Sequence, residues 1–199
     1  IYIDSVWEHW ATQGPQYYVM ARLAWDPRRD GSAILEDYYR RGFGPAADAV
    51  KAYFQRMERA RGAFVEEYGT RNAVFDLAKL YTPTLLAEAE KDLERAAARA
   101  ADGPERYRRR VEFVRAGLDF TRLLVQNIGW MAQYWDRRDT GLAEKVGSNW
   151  EAIERLCRQH PYAVNWGPLR PQTPRMRGLH PDYPDPKWKP RPNAETGKR

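Results

Sequence analysis

The sequence is poor in the residue types that build disulfides and metal sites. It has one cysteine, Cys157, and three histidines, His9, His160 and His180, among 199 residues. A single cysteine excludes an internal disulfide and any zinc site with several cysteine ligands. The histidines lie far apart and lack the spacing of metal ligands, so we predict neither a metal nor another cofactor. Cys157 itself falls on a helical pattern and is expected to be a small buried residue.

Long apolar runs and the common nucleotide and nucleophile motifs are also missing. No apolar run approaches the roughly 18 residues of a membrane-spanning helix, and no signal-peptide pattern is present. There is no glycine-rich phosphate loop and no Gly-x-Ser-x-Gly motif. An apolar content of 43%, with eight Trp, twelve Tyr and six Phe, is nevertheless ample for a core. We expect a soluble folded chain without a membrane partner, whose compartment could be secreted or cytoplasmic.

The net charge of +6 is concentrated at one end of the chain. From His160 onward, eight Lys or Arg face three acids, so this tail carries +5 of the total. The rest of the chain is nearly neutral and lacks the basic face that phosphate binding requires, so we predict no nucleic-acid partner. The runs at 108–110 and 137–138 are expected to be solvated or acid-paired arginines on helix faces.

The first 27 residues have the pattern of a strand, a loop and a helix. Ile1–Ser5 is a short apolar run with an acid near its end, residues 7–14 combine polar and aromatic groups, and Gln16–Trp25 has helical spacing. This order is the βα unit of an α/β enzyme, whose site lies at the carboxyl ends of its strands. Because one such unit cannot bury its own strand, we expect the chain to be the C-terminal piece of a larger protein.

Helical periodicity dominates residues 28–159. Capping residues and prolines in first turns mark the helix starts, and glycines mark several ends. Three long helices with short breaks between them should pack as an antiparallel bundle, with Trp130, Trp135 and Trp150 in its core. The predicted helices run from Asp30 or Ser32 to about Arg41, Pro45 to Gly69, Pro83 to Gly103, Glu105 to Asp136 and about Thr140 to Gln159.

Residues 160–199 form an irregular tail, because nine of the fourteen prolines lie in Pro161–Pro192 and no amphipathic period survives. The tail is also aromatic, which disordered linkers usually are not, so we expect it to be docked on a folded surface to about residue 188. Asn165–Pro168 would serve as a docking anchor, with a sugar subsite as the alternative. The predicted parts are therefore 1–27, 28–159 and 160–199.

A set of stretches within about residues 10–135 forms a recognisable order. They are Gln16–Pro27, Gly42–Ala47 with Val50 and Tyr53-Phe54, Tyr81–Pro83, Leu85–Ala89 and Arg109–Phe113. Together they resemble bacterial proteins that carry the domain of unknown function 4838. The resemblance implies a glycoside hydrolase with a (β/α)8 barrel followed by an α-helical region, similar in layout to α-glucuronidase-type and hexosaminidase-type enzymes. Residues 1–26 would then be the last strand, loop and helix of that barrel, and the chain as a whole would be mainly α.

The candidate site residues follow from that placement, because barrel enzymes carry catalysis at the ends of their strands. Asp4 and Glu8 are the candidate catalytic carboxyls; the alternative is that they only cap or pair at the barrel rim. Glycosidases use two carboxyl groups, and the second would come from another strand outside this chain. Flat aromatic faces and amides suit sugar rings and hydroxyls. The candidate substrate-binding residues are Trp7, His9, Trp10 and Gln13.

Two functional hypotheses follow from the sequence. In the first, the chain supports the barrel of a glycoside hydrolase, supplies one wall of its carbohydrate site and is inactive alone. Its partners would be a carbohydrate and the N-terminal barrel of the same protein. In the second, the bundle is a non-enzymatic module that binds a partner chain, which requires an exposed apolar stripe.

Overall fold

The chain is built from α-helices in the computed structural model, which describes residues 9–69, 76–173, 176 and 178–183. Short 3₁₀ turns lie at Gly44–Ala46 and Gly167–Leu169, and these described ranges contain no β-strand. The predicted strand at Ile1–Ser5 lies outside them. The helices are α1 (Trp10–Trp25), α2 (Gly31–Phe43), α3 (Ala47–Tyr68), α4 (Leu77–Leu80), α5 (Pro83–Ala100), α6 (Glu105–Arg137) and α7 (Thr140–Gln159).

Helix α6 is the centre of the fold. Its 33 residues span about 50 Å, and it packs against α1, α2, α4, α5 and α7. Its first half, with Val111 and Leu118, shares a core with α2, α3 and α5. Its second half, with Ile128 and Met131, shares a second core with α7 and the tail. Short connections on both sides of α6 make its sequence neighbours antiparallel, so the predicted helical bundle is confirmed.

Most helix ends are set by residues close in sequence, and these were predicted correctly. The Thr82 hydroxyl accepts a hydrogen bond from the Leu85 N–H at 3.2 Å, with Pro83 in the first turn of α5. The Asp30 carboxylate accepts from the Ser32 N–H at 2.9 Å and starts α2. Gly69 ends α3 with a φ of 75°, in the left-handed region that favours glycine.

Helix α1 begins six residues earlier than the sequence pattern indicates. The predicted loop is helical from Trp10, and Pro15 lies inside the helix. No side chain caps this helix; instead the Trp10 and Ala11 N–H groups donate to the carbonyls of Tyr162 and Ala163, at 3.3 and 3.2 Å. The first-turn donors of α1 are thus satisfied by the tail, about 150 positions away, which a local pattern cannot reveal.

The described part of the tail lies against α6, α7 and the start of α1. Ala163, Val164 and Leu179 are buried in the same core as Trp150. The Trp150 indole N–H donates to the Leu179 carbonyl at 2.8 Å, and the Trp166 ring centroid lies 6.2 Å from that of Trp150. Trp150 is therefore a core residue that also fixes the tail, while Trp130 and Trp135 pack partly buried around the same core.

Two buried polar groups fix how the helices pair. Asn149 donates to the Asn127 side-chain oxygen and to the Leu123 carbonyl, each at 2.8 Å, and so sets the register of α7 against α6. Asp92 on α5 is fully buried and pairs with Arg56 of α3 at 2.7 Å and with Arg95. Buried polar groups are costly when unpaired, so each of these contacts disfavours other helix registers.

The crossing of α1 over α6 should be sensitive to a single methyl group. A Cβ on Gly117 would lie 2.9 Å from the Ala11 Cβ and 3.2 Å from the Thr12 Cγ2. Gly117→Ala should therefore destabilise the protein by about 1–3 kcal/mol, because α1 must move outward. Gly129→Ala, on the same helix with no atom within 4 Å of its new Cβ, should instead stabilise by up to about 1 kcal/mol. Urea unfolding of both variants checks this; changes of the same sign would contradict it.

Cys157 should be inert in the folded protein. The residue is 1% exposed, and burial, with a smaller effect of Glu154, raises the pKa of its thiol to about 12. At neutral pH the group is therefore a protonated, shielded thiol, whereas the thiolate is the reactive form. Ellman's reagent should leave it unmodified until denaturant unfolds the chain. Rapid labelling under native conditions would show that α7 is not packed as described.

Candidate ligand-binding groove

The six residues predicted to form a site fall into two groups. Asp4, Trp7 and Glu8 lie outside the described residues. His9, Trp10 and Gln13 lie at the start of α1, where the sequence predicted a loop and the structure has the first turns of a helix. The spacing of these three side chains is therefore fixed by the helix.

His9 and Trp10 point to different surfaces although they are adjacent in sequence. The His9 Nδ1 accepts a hydrogen bond from the Asn165 N–H at 3.1 Å, which ties the tail to the start of α1. His9 also lines a cavity of about 240 Å³ with apolar residues of α6 and the tail. Trp10 lines a larger groove on another face.

This larger groove runs between α1, the end of α2 and the first half of α6. Its volume is about 620 Å³, within the roughly 300–1,000 Å³ of small-molecule sites. One stripe of α1 at helical spacing forms one wall, and α2 and α6 form the other. We call it the aromatic groove; its principal lining residues are Trp10, Gly14, Tyr17, Tyr18, Tyr38, Arg41, Phe43, Arg110 and Phe113.

Trp10 contributes a partly exposed aromatic ring to the aromatic groove. Its side chain is 41% exposed, and its ring meets Tyr17 edge to face with centroids 4.8 Å apart. The Tyr17 hydroxyl in turn donates to the Gln13 side-chain oxygen. Gln13 therefore acts on the groove through Tyr17, and Trp10 is held in place without being buried.

The middle of the aromatic groove depends on Gly14 and Tyr38. A Cβ on residue 14 would lie 2.7 Å from the Tyr38 hydroxyl oxygen, so any larger residue at this position would displace the Tyr38 side chain. Burial raises the pKa of Tyr38 to about 12, and the nearby Arg110 charge opposes that rise. Tyr38 therefore stays protonated at physiological pH and contributes a neutral hydroxyl.

Two arginines are the charged side chains in the described lining of the aromatic groove. Arg110 Nη1 donates to the Arg41 and Gly42 carbonyls at 3.2 and 2.9 Å, so it caps the last turn of α2 from α6. Arg41 donates from Nε to the Asp37 carboxylate at 2.6 Å. Both guanidiniums are thus fixed by contacts on one side and keep further N–H donors.

Asp37 of α2 links α1 to α2 next to Arg41. Its carboxylate accepts from the Tyr18 hydroxyl at 2.9 Å and from Arg41 and Arg40 at 2.6 and 3.1 Å. Arg22 completes the link by donating to the Tyr18 hydroxyl at 2.9 Å. Arg41, then Tyr18 and Arg40, hold the pKa of Asp37 well below its usual range.

Most of the aromatic groove was missed by the sequence analysis. Tyr17 and Tyr18 could have been found, because they continue the helical spacing from Trp10 and Gly14 along α1. Tyr38, Arg41 and Arg110 carry no such signal, because their approach depends on how three helices pack. Within residues 9–69, 76–173, 176 and 178–183, no three His, Cys, Asp or Glu side chains gather as metal ligands.

Comparison with known proteins gives one match. Residues 2–55 match the family described as domain of unknown function (DUF4838). The matched segment includes α1, α2 and the first turns of α3, and thus two of the three helices that line the aromatic groove. No curated protein and no solved structure matches the chain. The similarity to this family is therefore supported for the first quarter of the chain, and the residues of α6 lie beyond it.

Loss of the Asp37 carboxylate should weaken the attachment of α1. Because folding lowers the pKa of this group, its stabilisation is fully present above about pH 5 and is lost as the pH falls below the usual aspartate value of about 4. Asp37→Asn should therefore lower the melting temperature at neutral pH, with the difference from the parent chain shrinking in acid. Asp48→Asn, an exposed acid in the first turn of α3, is the control. A deficit for Asp37→Asn that is unchanged below pH 4 would contradict this assignment.

Proposed function

We propose that this chain is the C-terminal helical part of a glycoside hydrolase. In this proposal it packs on a (β/α)8 barrel, supplies one wall of the carbohydrate site and does not turn over substrate alone. Asp4 or Glu8 would contribute one carboxyl group, and the second would come from another strand of the barrel. The match of residues 2–55 to DUF4838 supports this reading of the first quarter of the chain.

The observation that carries the proposal is the exposed Trp10 at the head of the aromatic groove. Aromatic rings that stay partly exposed suit the apolar faces of sugar rings, because they offer flat contact area at little entropic cost. Tyr17 braces Trp10, and Gln13 holds Tyr17, so the ring is positioned in advance of any ligand. Such preorganisation is what a binding wall requires.

The composition of α1 supports its contact with a further structural layer. In 16 residues the helix has one charged side chain, Arg22, and buries only Ala11, Gly14 and Pro15. Met20 and Trp25 remain 39% and 91% exposed. A helix that is apolar on its outward face is normally covered by another element, and in α/β barrels the helices lie against the sheet.

The same outward face also favours the second hypothesis, a non-enzymatic helical module. An exposed apolar helix face is the feature that a partner chain would cover. The two hypotheses differ in the aromatic groove, since only the enzyme hypothesis gives Trp10 a ligand. Among the described residues, no helix has the length and apolar content needed to cross a membrane.

Turnover measurements test the proposal. The chain alone and the same chain placed behind the barrel of a DUF4838 protein would be assayed with a panel of aryl glycosides and aryl glucuronides. We expect no turnover by the chain alone and hydrolysis of at least one substrate by the joined protein. In the joined protein, Glu8→Gln or Asp4→Asn should cost on the order of 100-fold in kcat, and Trp10→Ala should mainly raise KM.

The control is Glu36→Gln, which removes an acid of α2 that pairs with Lys51 on the surface. It should leave turnover unchanged. Hydrolysis by the chain alone would refute the division of labour between barrel and helices. An inactive joined protein that still binds a partner chain through α1 would favour the second hypothesis.

A further inference from the structure

The described lining of the aromatic groove has charge of one sign. Among residues 9–69, 76–173, 176 and 178–183, this lining includes Arg41 and Arg110 and no Asp or Glu side chain. The Asp37 carboxylate, which pairs with Arg41, is also engaged by Tyr18 and Arg40. A ligand in the groove therefore meets two guanidiniums and an exposed indole.

Arg110 differs from the two arginines that precede it on α6. Arg109 pairs with Glu105 at 2.6 Å on the outside of the helix. Arg108 donates to the Ala101 and Gly103 carbonyls and so caps the end of α5. Arg110 caps α2 in the same way but also lines the groove, and no described carboxylate lies within ion-pair distance of it. A guanidinium that lines a groove, keeps N–H donors available and has no carboxylate partner is a suitable site for an anionic ligand.

The kind of anion follows from the rest of the lining. Trp10 and Tyr17 offer ring surfaces, which suit a ring-shaped ligand rather than a free inorganic ion. Arginine presents its N–H donors in a planar fork that matches a carboxylate. The volume of about 620 Å³ accommodates a ligand the size of one or two sugar rings.

We infer that the aromatic groove binds a sugar that carries a carboxylate, that is, a uronic-acid-type residue. This inference rests on the proposed carbohydrate function and adds the substrate class to it. Arg110 donates to the carboxylate and sets the preference for the acidic sugar, Arg41 adds positive charge beside it, and Trp10 contacts the ring. Because α1, α2 and α6 supply all of the described lining, binding to the groove can be measured on the 199-residue chain itself.

Isothermal titration of the full chain with matched sugars tests the inference. Methyl glucuronide and methyl glucoside share one ring and differ in a carboxylate against a hydroxymethyl group. We expect the glucuronide to bind at least about tenfold more tightly, as a charge-assisted hydrogen bond provides. Added salt should reduce that preference. Equal affinities, or no binding of either sugar, would overturn the inference.

Variants then assign the preference to Arg110. Arg110→Gln should remove it, and Arg110→Lys should remove most of it, because lysine keeps the charge and loses the fork. Arg108→Gln is the matched control, since it loses equivalent bonds to helix-end carbonyls without touching the groove. Thermal melts show which variants fold. If Arg110→Gln does not fold, the affinities of the Arg110→Lys and Trp10→Ala variants for the two sugars test the assignment instead. A preference that survives in a folded Arg110 variant would overturn the assignment.

Two further probes separate other sources of an anion. Benzoate has a ring and a carboxylate without hydroxyls, and glucose 6-phosphate has the sugar with a tetrahedral anion. Tighter binding of either than of methyl glucuronide would overturn the uronic-acid assignment. The turnover assay of the joined protein stays independent of these results. If the joined protein hydrolyses neutral glycosides but the chain does not bind methyl glucuronide, the enzyme proposal stands and this inference is refuted. If the chain binds methyl glucuronide through Arg110 but the joined protein hydrolyses nothing, the enzyme proposal is refuted and the binding inference stands.

Discussion

The position of α1 is the constraint on which the rest of the site depends, and it is set by contacts with both ends of the fold. Its first N–H groups are capped by the carbonyls of Tyr162 and Ala163, and its first turn approaches α6 so closely that a Cβ on residue 117 would crowd Ala11 and Thr12. Because α1 has little charge and few buried side chains of its own, its position depends on these contacts and on the link from Tyr18 to Asp37. The aromatic groove exists because α1 is held there against α2 and α6.

The helices could be read from the sequence where the determining contact is local. Thr82 and Asp30 each accept a hydrogen bond from a residue two or three positions away. Gly69 adopts a left-handed backbone conformation, which glycine can adopt without steric strain. Such signals depend on the residue type and its immediate neighbours, which a sequence displays directly. The start of α1 could not be predicted in this way, because its first N–H groups donate to the carbonyls of Tyr162 and Ala163 in the tail.

The candidate site was predictable only in part, and the three consecutive arginines of α6 show why. Arg108, Arg109 and Arg110 are identical in type and adjacent in sequence, yet they reach the end of α5, the acid Glu105 and the aromatic groove. Each step along a helix turns the side chain by about 100°, so neighbours face different elements. Which element each meets depends on the packing of α2 and α5 around α6. Trp10 and Gln13 were predicted for a different reason, namely that aromatic and amide groups in a loop after a barrel strand suit a sugar site.

The bond between Asn165 and His9 joins residues 156 positions apart, and this distance affects how the chain can fold as it is synthesised. Helix α1 leaves the ribosome long before the segment that caps it, by roughly 8–30 s at 5–20 residues per second. During that interval its first-turn donors and its apolar outer face are open to water and to other proteins. The contacts of α1 are therefore completed only after the tail is made, and a factor that shields α1 during synthesis would improve the yield of native protein.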